Sequence, residues 1–494
     1  MLALDLKPFV KRLLYIVIVF LSIVAVISCE DEKYVSSNDV HLEFSADTVM
    51  FDTIFTTIGS TTQHLKVYNP YDQKILISSV RLAKGDASNF RILVPGKEMT
   101  ASMEVFDVEI PPKDSIYIFV EVTVDPTGNN LPMVVQDSIE FSTNASLQDV
   151  DLVAWGQDFH LVRDARIKTT TWTAEKPYLV YNYAYVDSGE VLTIEPGAKI
   201  YFHSKAGLFV KGKIKALGEY GLPIVFQGDR LEDVYQDVPD QWSGLVLFSG
   251  SHGNVINFSE IKNANIGLQV GNIEDDGYAS VELANTKIYN HAYAGIFALK
   301  SKIKAYNCLV ANCGFYAAAL LVGGDYDFYH TTIANYWGGG FSSGSRSTAS
   351  LVLSNLLIID QPSGESVSYV GDLENASFSN SIIAGNISSR NELELGISDE
   401  ATFNYYFDHC LMQLSDTFDV SNTEFFSDII RGVDPKFKDP FEAFNFELDT
   451  LSPAKDAGLK IVGQQFPLDL LNQNRMNDLG PDLGAYERIE KVQQ

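Results

Sequence analysis

Phe258-Ser-Glu-Ile261-Lys-Asn263, Asn285-Thr-Lys-Ile288-Tyr-Asn290, Asn307-Cys-Leu-Val310-Ala-Asn312, His330-Thr-Thr-Ile333-Ala-Asn335, Asn355-Leu-Leu-Ile358-Ile-Asp360 and Asn380-Ser-Ile-Ile383-Ala-Gly385 are six versions of one phrase. Each carries an aliphatic anchor at its fourth position, usually with Asn at the first and sixth. Successive anchors are 27, 22, 23, 25 and 25 residues apart. A repeat of that length, β-branched and punctuated by Asn and Gly, is too short for a propeller blade and fits one coil of a parallel β-solenoid. Strands one coil apart pair at about 4.8 Å, so equivalent side chains stack. Ile261, Ile288, Val310, Ile333, Ile358 and Ile383 are then expected to form one inward aliphatic column. The Asn residues suit turns, because Asn tolerates left-handed backbone angles and its amide bonds to a neighbour one coil away. Two ladders are expected: Asn285, Asn307, Asn355 and Asn380, interrupted by His330, and Asn263, Asn290, Asn312 and Asn335.

The flanks extend this texture. Val191-Leu-Thr-Ile-Glu-Pro-Gly-Ala-Lys-Ile-Tyr-Phe202, Gly207-Leu-Phe-Val-Lys-Gly-Lys-Ile-Lys-Ala-Leu217, Pro223-Ile-Val-Phe226 and Trp242-Ser-Gly-Leu-Val-Leu247 resemble the opening coils of right-handed parallel β-helix proteins. Ser452-Pro-Ala-Lys-Asp-Ala-Gly458 and Gly480-Pro-Asp-Leu-Gly-Ala-Tyr-Glu487 resemble that family's closing segment. The resemblance covers residues 161 to 490. It implies a fold and an extracellular bacterial setting, not a reaction. Residues 440–490 are expected to cap the last coil, with Asp456, Arg475, Asp482 and Glu487 in a structural charge network.

The N-terminus reads as a signal. Lys7, Lys11 and Arg12 precede an apolar run from Leu13 to Ile27, too short for a comfortable membrane span. Val26-Ile27-Ser28-Cys29 resembles the lipobox of bacterial lipoproteins, which implies lipidation at Cys29 and anchoring to outer-membrane lipid. Glu30-Asp31-Glu32 resembles the export signal of surface lipoproteins in the Bacteroidetes, which implies a surface-exposed outer-membrane lipoprotein of the cell envelope. The formal net charge is −28. A chain this acidic, with no Lys/Arg cluster, excludes nucleic acid as a partner. Cys308, Cys313 and Cys410 have no metal-binding spacing and read as buried small hydrophobes.

The expected organisation is a signal peptide (1–28), a lipidated tether (29–38), an immunoglobulin-like antiparallel β-sandwich (39–160) and a right-handed parallel β-helix with a C-terminal cap (161–494), an all-β chain. The sandwich reading rests on alternating strands at Val49–Ile54, Gln63–Tyr68, Ile75–Val80, Ser115–Val124 and Asp137–Phe141. They are broken at Asn69-Pro70, Pro111-Pro112 and Gly128-Asn-Asn130. Val67-Tyr-Asn-Pro70 and Ile110-Pro-Pro-Lys-Asp-Ser-Ile116 resemble the immunoglobulin-like modules that follow the lipobox in many bacterial surface proteins. The domain reads as a spacer.

Extracellular β-helices often act on polysaccharides, so catalysis has to be weighed. Ser251-His252-Gly253 and Arg166-Ile167-Lys168 resemble polygalacturonase motifs, but in reversed order, and read as chance. The best constellation is Asp325, Asp327 and His330, with Arg346 further on as a catalytic candidate. Tyr326, Tyr329 and Trp337 are the ligand-stacking candidates. Asp325 and Asp327 alternate and share one strand face, and Gly338-Gly339-Gly340 permits close approach of a ligand. Against this stands a turn region with solvated carboxylates and packed aromatics. No cofactor is expected; Ca²⁺ at Glu274-Asp275-Asp276-Gly277 lacks a dedicated ligand pattern, and no metal residue is assigned. The expected function is non-catalytic binding of a polysaccharide or cell-surface protein partner, or surface display, along the solenoid. The alternative is a polysaccharide lyase or glycoside hydrolase.

Overall fold

The structure is a computed structural model that describes residues 33–36, 40–100, 102–126, 128, 132–144, 146–273, 277–338, 346–362, 364–387 and 391–488. Cys29, the acidic triplet Glu274–Asp276, and Gly339 and Gly340 lie outside the described residues. The fold is all-β, in two compact units that divide between Gln157 and Asp158.

The first unit is a β-sandwich. One sheet orders Glu43–Phe44, Gln63–Tyr68, Ser115–Val122 and Phe90–Leu93; the other orders Thr48–Phe55, Ser146–Gln157, Met133–Thr143, Ile75–Leu82 and Glu104–Ile110. Pairing is antiparallel except that Thr48–Phe55 runs parallel to Ser146–Gln157. The alternating apolar residues of both sheets, among them Leu65, Ile77, Val120, Phe141 and Leu152, close one core. The breaks at Asn69-Pro70 and Pro111-Pro112 meet at Asn69. Its buried amide donates to the carbonyls of Gln73 (2.8 Å), Ile110 (3.1 Å) and Pro111 (2.9 Å).

The second unit is a parallel β-helix in which most of the described strands form one 26-stranded sheet, with two separate two-stranded hairpins. Tyr178, Ile200, Phe226, Ile261, Ile288, Val310, Ile333, Ile383 and Met412 lie in direct register, one per coil. From Ile200 onward all are fully buried. A second inward column ends in stacked rings: Phe328–Phe378 at 4.9 Å and Phe378–Phe407 at 4.8 Å.

Ile358 departs from the expected column. It lies in an antiparallel hairpin, Leu356–Asp360 with Ser366–Val370, and is 56% exposed. Ile333 pairs directly with Ile383. The fifth phrase is therefore an insertion within one long coil. Leu357 and Tyr369 of the hairpin pack on an outward apolar patch of Ala319, Leu321, Val322 and Val352. Asn355 leaves its ladder accordingly and ties the carbonyls of Ser398 and Ala401.

The rest of the first ladder sits at one turn. Phe258, Asn285, Asn307, His330, Asn380, His409 and Asp428 all have φ between 41° and 52°. They follow residues paired coil to coil. Asn307 Nδ2 donates to Asn285 Oδ1 at 3.1 Å, and Asn380 Nδ2 donates to His330 Nε2 at 3.1 Å. Up to His409, the residue after each is Ser259, Thr286, Cys308, Thr331, Ser381 or Cys410, and each donates to the carbonyl two residues before it. Cys308 and Cys410 thus replace hydroxyls. Burial pushes both thiols up to about 12, which makes them poor nucleophiles. In the second ladder only Asn290 to Asn263 is an amide–amide bond, at 2.7 Å. Asn312 and Asn335 bond backbone groups instead.

Residues 440–488 do not lie over the final coil. They run along the side of the helix, where Leu309, Ala311, Ala334, Ile382, Ala384 and Leu411 present an outward apolar face. Burying that face stabilises the side position. The expected charge network forms there. Arg475 Nη1 lies 3.4 Å from Glu487 Oε2, which also accepts from Asp482 N at 3.0 Å. Asp456 N donates to Asp482 Oδ1 at 2.7 Å. Arg475 Nη2 reaches Asn307 Oδ1 at 3.1 Å, joining this segment to the turn ladder.

His291 is fully buried and held neutral. Its Nδ1 accepts from Ala264 N at 3.1 Å and its Nε2 donates to Ile261 O at 3.2 Å. Burial pushes its pKa down to about 3. A depressed histidine pKa leaves stability intact above the unfolded value near 6.5 and removes it as pH falls from there toward 3. Between pH 7.5 and 4.5 the loss from this group is about 2–3 kcal/mol. Urea unfolding of the β-helix at both pH values should show that loss in the parent chain. The pH dependence should be flatter by the same amount in His291→Gln.

Candidate functional site

The sequence candidates separate when placed on the coils. A β-bulge sets the site strand: Leu299 pairs with Leu321 and Ser301 with Gly324, so Lys300 stands opposite two residues. Val322, Gly323 and Gly324 all take positive φ at this corner. A β-branched residue in that region is strained. At Gly323, any Cβ would lie 2.3 Å from Asp372 O. Directly after the corner, Asp325 and Asp327 point outward, while Tyr326 between them points into the core. The Tyr326 hydroxyl donates to Gly323 O at 2.9 Å.

Outward-facing neighbours come from adjacent coils. Asn375 Nδ2 lies 3.3 Å from Asp325 Oδ1 and 3.1 Å from Asp327 Oδ1. Lys302 Nζ lies 3.2 Å from both Asp325 Oδ2 and Glu374 Oε2. It also sits 5.1 Å from the centre of the Tyr278 ring. Lys302 donates to Glu374 and Asp325, and these hydrogen bonds raise its pKa, which favours the cation. Tyr278 is 41% exposed, and His252 packs on it with centroids 4.6 Å apart. Tyr329 is half-buried against Phe466 of the C-terminal segment, at 5.1 Å.

His330 and Arg346 are elsewhere. His330 is fully buried, and its Nε2 is occupied by Asn380. Burial, with the Arg475 charge second, holds its pKa well below the histidine range. Arg346 grips Glu392 with both terminal nitrogens, at 2.9 and 2.8 Å, with neither side chain exposed. Glu392 also accepts from Ser350 N and Oγ at 2.9 and 2.7 Å. Gly385, which breaks the sixth phrase, is explained here: a Cβ would lie 2.4 Å from Arg346 Nη2. Trp337 follows Thr332–Asn335, a different strand of the coil, and its carbonyl accepts from Asn386. The face therefore retains Asp325, Asp327 and, at its edge, Tyr329. His330, Arg346, Tyr326 and Trp337 are removed by burial or by position.

Two further clusters escaped the sequence reading. Arg163, Tyr181, His203 and Asp229 follow one another up the first coils. Tyr181 and His203 stack at 4.2 Å, and His203 Nδ1 lies 2.7 Å from Asp229 Oδ2. Burial raises the Asp229 pKa. Arg163 covers the other face of Tyr181, at 4.9 Å, so both ring faces are taken. Among the described residues, one group of metal-ligating side chains converges: Asp408, His409 and Asp428. Ser251 and Arg166, from the two polygalacturonase-like fragments, bond separate partners, Gly212 O and Asp187. In the sandwich, Val94, Val108, Ile116, Tyr117 and Phe119 line a cleft of about 420 Å³.

No protein-family model and no curated protein matches the chain. Among solved structures, a family 123 glycoside hydrolase from Clostridium perfringens, described for glycolipid glycan hydrolysis, matches with 9% identity and a TM-score of 0.17. The match covers 27% of this chain and 30% of that one, which carries no argument about fold or activity.

Arg346 and Glu392 are structural partners, and that is testable. Arg346→Met leaves a buried carboxylate unpaired and should cost about 3–5 kcal/mol in denaturant unfolding. Adding Glu392→Leu should recover at least half of the loss.

Proposed function

We propose that this protein is a lipid-anchored protein of the bacterial cell surface that binds a neutral polysaccharide without cleaving it, on the outward face around Asp325. The observation that carries the reading is the division of the candidate residues. Asp325, Asp327, Asn375 and Lys302 form a fixed array of acceptors and donors beside the exposed Tyr278. The histidine and arginine that would complete an acid–base pair are buried and engaged. Carboxylates and amides held in place by the coil-to-coil register suit sugar hydroxyls, and an aromatic surface suits their apolar faces. The net charge of −28 disfavours a polyanionic glycan. The hydrophobic run ending at Val26-Ile27-Ser28-Cys29 supports the anchor.

Two experiments test this reading. Neutral and uronate polysaccharides are passed over the soluble chain that begins after Cys29, with and without Ca²⁺, and polymer size is followed. Intact neutral polymer should co-elute with the protein, and retention should fall at least tenfold in Asp325→Ala/Asn375→Ala. Shortened polymer would replace this reading with the lyase or hydrolase one. Absence of both would leave a protein partner. Separately, labelled fatty acid should be incorporated into the full chain in bacteria and be lost in Cys29→Ser.

A further inference from the structure

The left-handed turn column changes chemistry at its far end. From Asn285 through Asn380 its members are amides or a neutral imidazole, and Asn307, His330 and Asn380 are buried. The C-terminal segment seals them: Asn307 donates to Leu468 O and Asn380 to Leu459 O. The next two positions are His409 and Asp428, with φ of 49° and 51°, and neither is fully buried. Side chains in this column reach along the axis to the same position one coil on. At its end the contact is therefore between an imidazole and a carboxylate. Asp408, the residue before His409, adds a second carboxylate, because Asp408 and Ser427 are register partners on the outward side.

The three ligand atoms lie within 4.8 Å of one another. His409 Nδ1 is 2.7 Å from Asp408 Oδ1 and 3.8 Å from Asp428 Oδ2. Donors about 2.1 Å from a tetrahedral ion stand about 3.4 Å apart. The second distance is already close to that. The first must open by less than 1 Å, exchanging one hydrogen bond for two metal bonds. Ser427 Oγ, 3.0 Å from Asp428 Oδ2, orients that carboxylate from outside, as outer-sphere partners of metal ligands do.

We propose that Asp408, His409 and Asp428 bind a first-row divalent cation, Zn²⁺ above all, at the open end of the turn column. One imidazole and two carboxylates form a borderline nitrogen–oxygen set that favours Zn²⁺ over the hard, oxygen-seeking Ca²⁺. Two carboxylates neutralise the ion's charge, and the exposed side leaves a position for water or a ligand group. The site is independent of the polysaccharide face, because none of its residues takes part in the Asp325 array.

Calorimetric titration of the soluble chain with Zn²⁺, Mn²⁺ and Ca²⁺ tests the site. One Zn²⁺ per chain is expected, with Ca²⁺ at least tenfold weaker. His409→Asn introduces the residue that the column carries elsewhere and is compatible with the left-handed backbone. It should leave the metal-free melting temperature unchanged and weaken Zn²⁺ at least tenfold, as should Asp428→Asn. His409 resonances in the NMR spectrum should shift with one equivalent of Zn²⁺. Absence of stoichiometric Zn²⁺ binding, equal affinity for Ca²⁺, or binding that survives both variants would overturn the proposal. Polysaccharide retention is unaffected by either variant if the two sites are separate.

Discussion

From Phe258 to Asp428 each coil of this protein turns at the same place, and that turn is left-handed. A solenoid stacks identical corners, so a conformation unfavourable for most residues is imposed once per coil rather than once per protein. Asn meets the requirement at least cost, and its amide also spans the gap to the next corner. The column from Phe258 to Asp428 shows both effects. The corner then dictates the following residue, which must be small, buried and able to donate to the carbonyl two residues back. Ser, Thr and Cys are interchangeable there for that reason. An apparently reactive feature, three unpaired cysteines, is partly a by-product of backbone geometry.

The second constraint is the outer surface. Strands in a β-helix present alternate residues outward, and those are expected to be polar. Where they are apolar, something covers them. The hairpin of residues 356–370 covers one such patch, and the segment after residue 440 covers a longer one. The buried ionisable groups of Arg475, Asp482 and Glu487 belong to that second cover. Burial outweighs the neighbouring Arg475 charge and pushes Glu487 up to about 9. The network is thus a polar seam between two apolar surfaces, not a surface ion-pair array.

The inward column was legible from the spacing of its aliphatic anchors, because a repeat that recurs once per coil is recorded directly in sequence. Ile358 misled because its local phrase, Asn355-Leu-Leu-Ile358-Ile-Asp360, satisfies the same pattern within an inserted hairpin. Regular spacing on either side concealed that one coil of double length, not two coils, separates Ile333 from Ile383. The same insertion hid the site. Asn375 meets Asp325 across 50 positions of sequence, and only knowledge of the insertion aligns them. Lys302, one coil earlier, was within reach of an alignment of outward positions. His330 was misassigned for a physical reason: nearness in sequence to Asp327 says nothing when His330 itself takes the left-handed turn that ends the strand and is buried there.

The burial of His330 and Arg346 bears on function more strongly than the presence of Asp325 and Asp327. Two carboxylates on a strand face are common and compatible with solvation, adhesion or catalysis. A general acid or base, however, has to reach the proton it moves. His330 Nε2 is committed to Asn380, and the Arg346 guanidinium is committed to Glu392. Lys302 is held as a cation between two carboxylates, one of them Asp325 itself. What remains on this face is an arrangement of fixed donors and acceptors whose spacing follows the coil repeat. That array keeps the carboxylates of Asp325 and Asp327 and the amide of Asn375 in fixed register from one coil to the next.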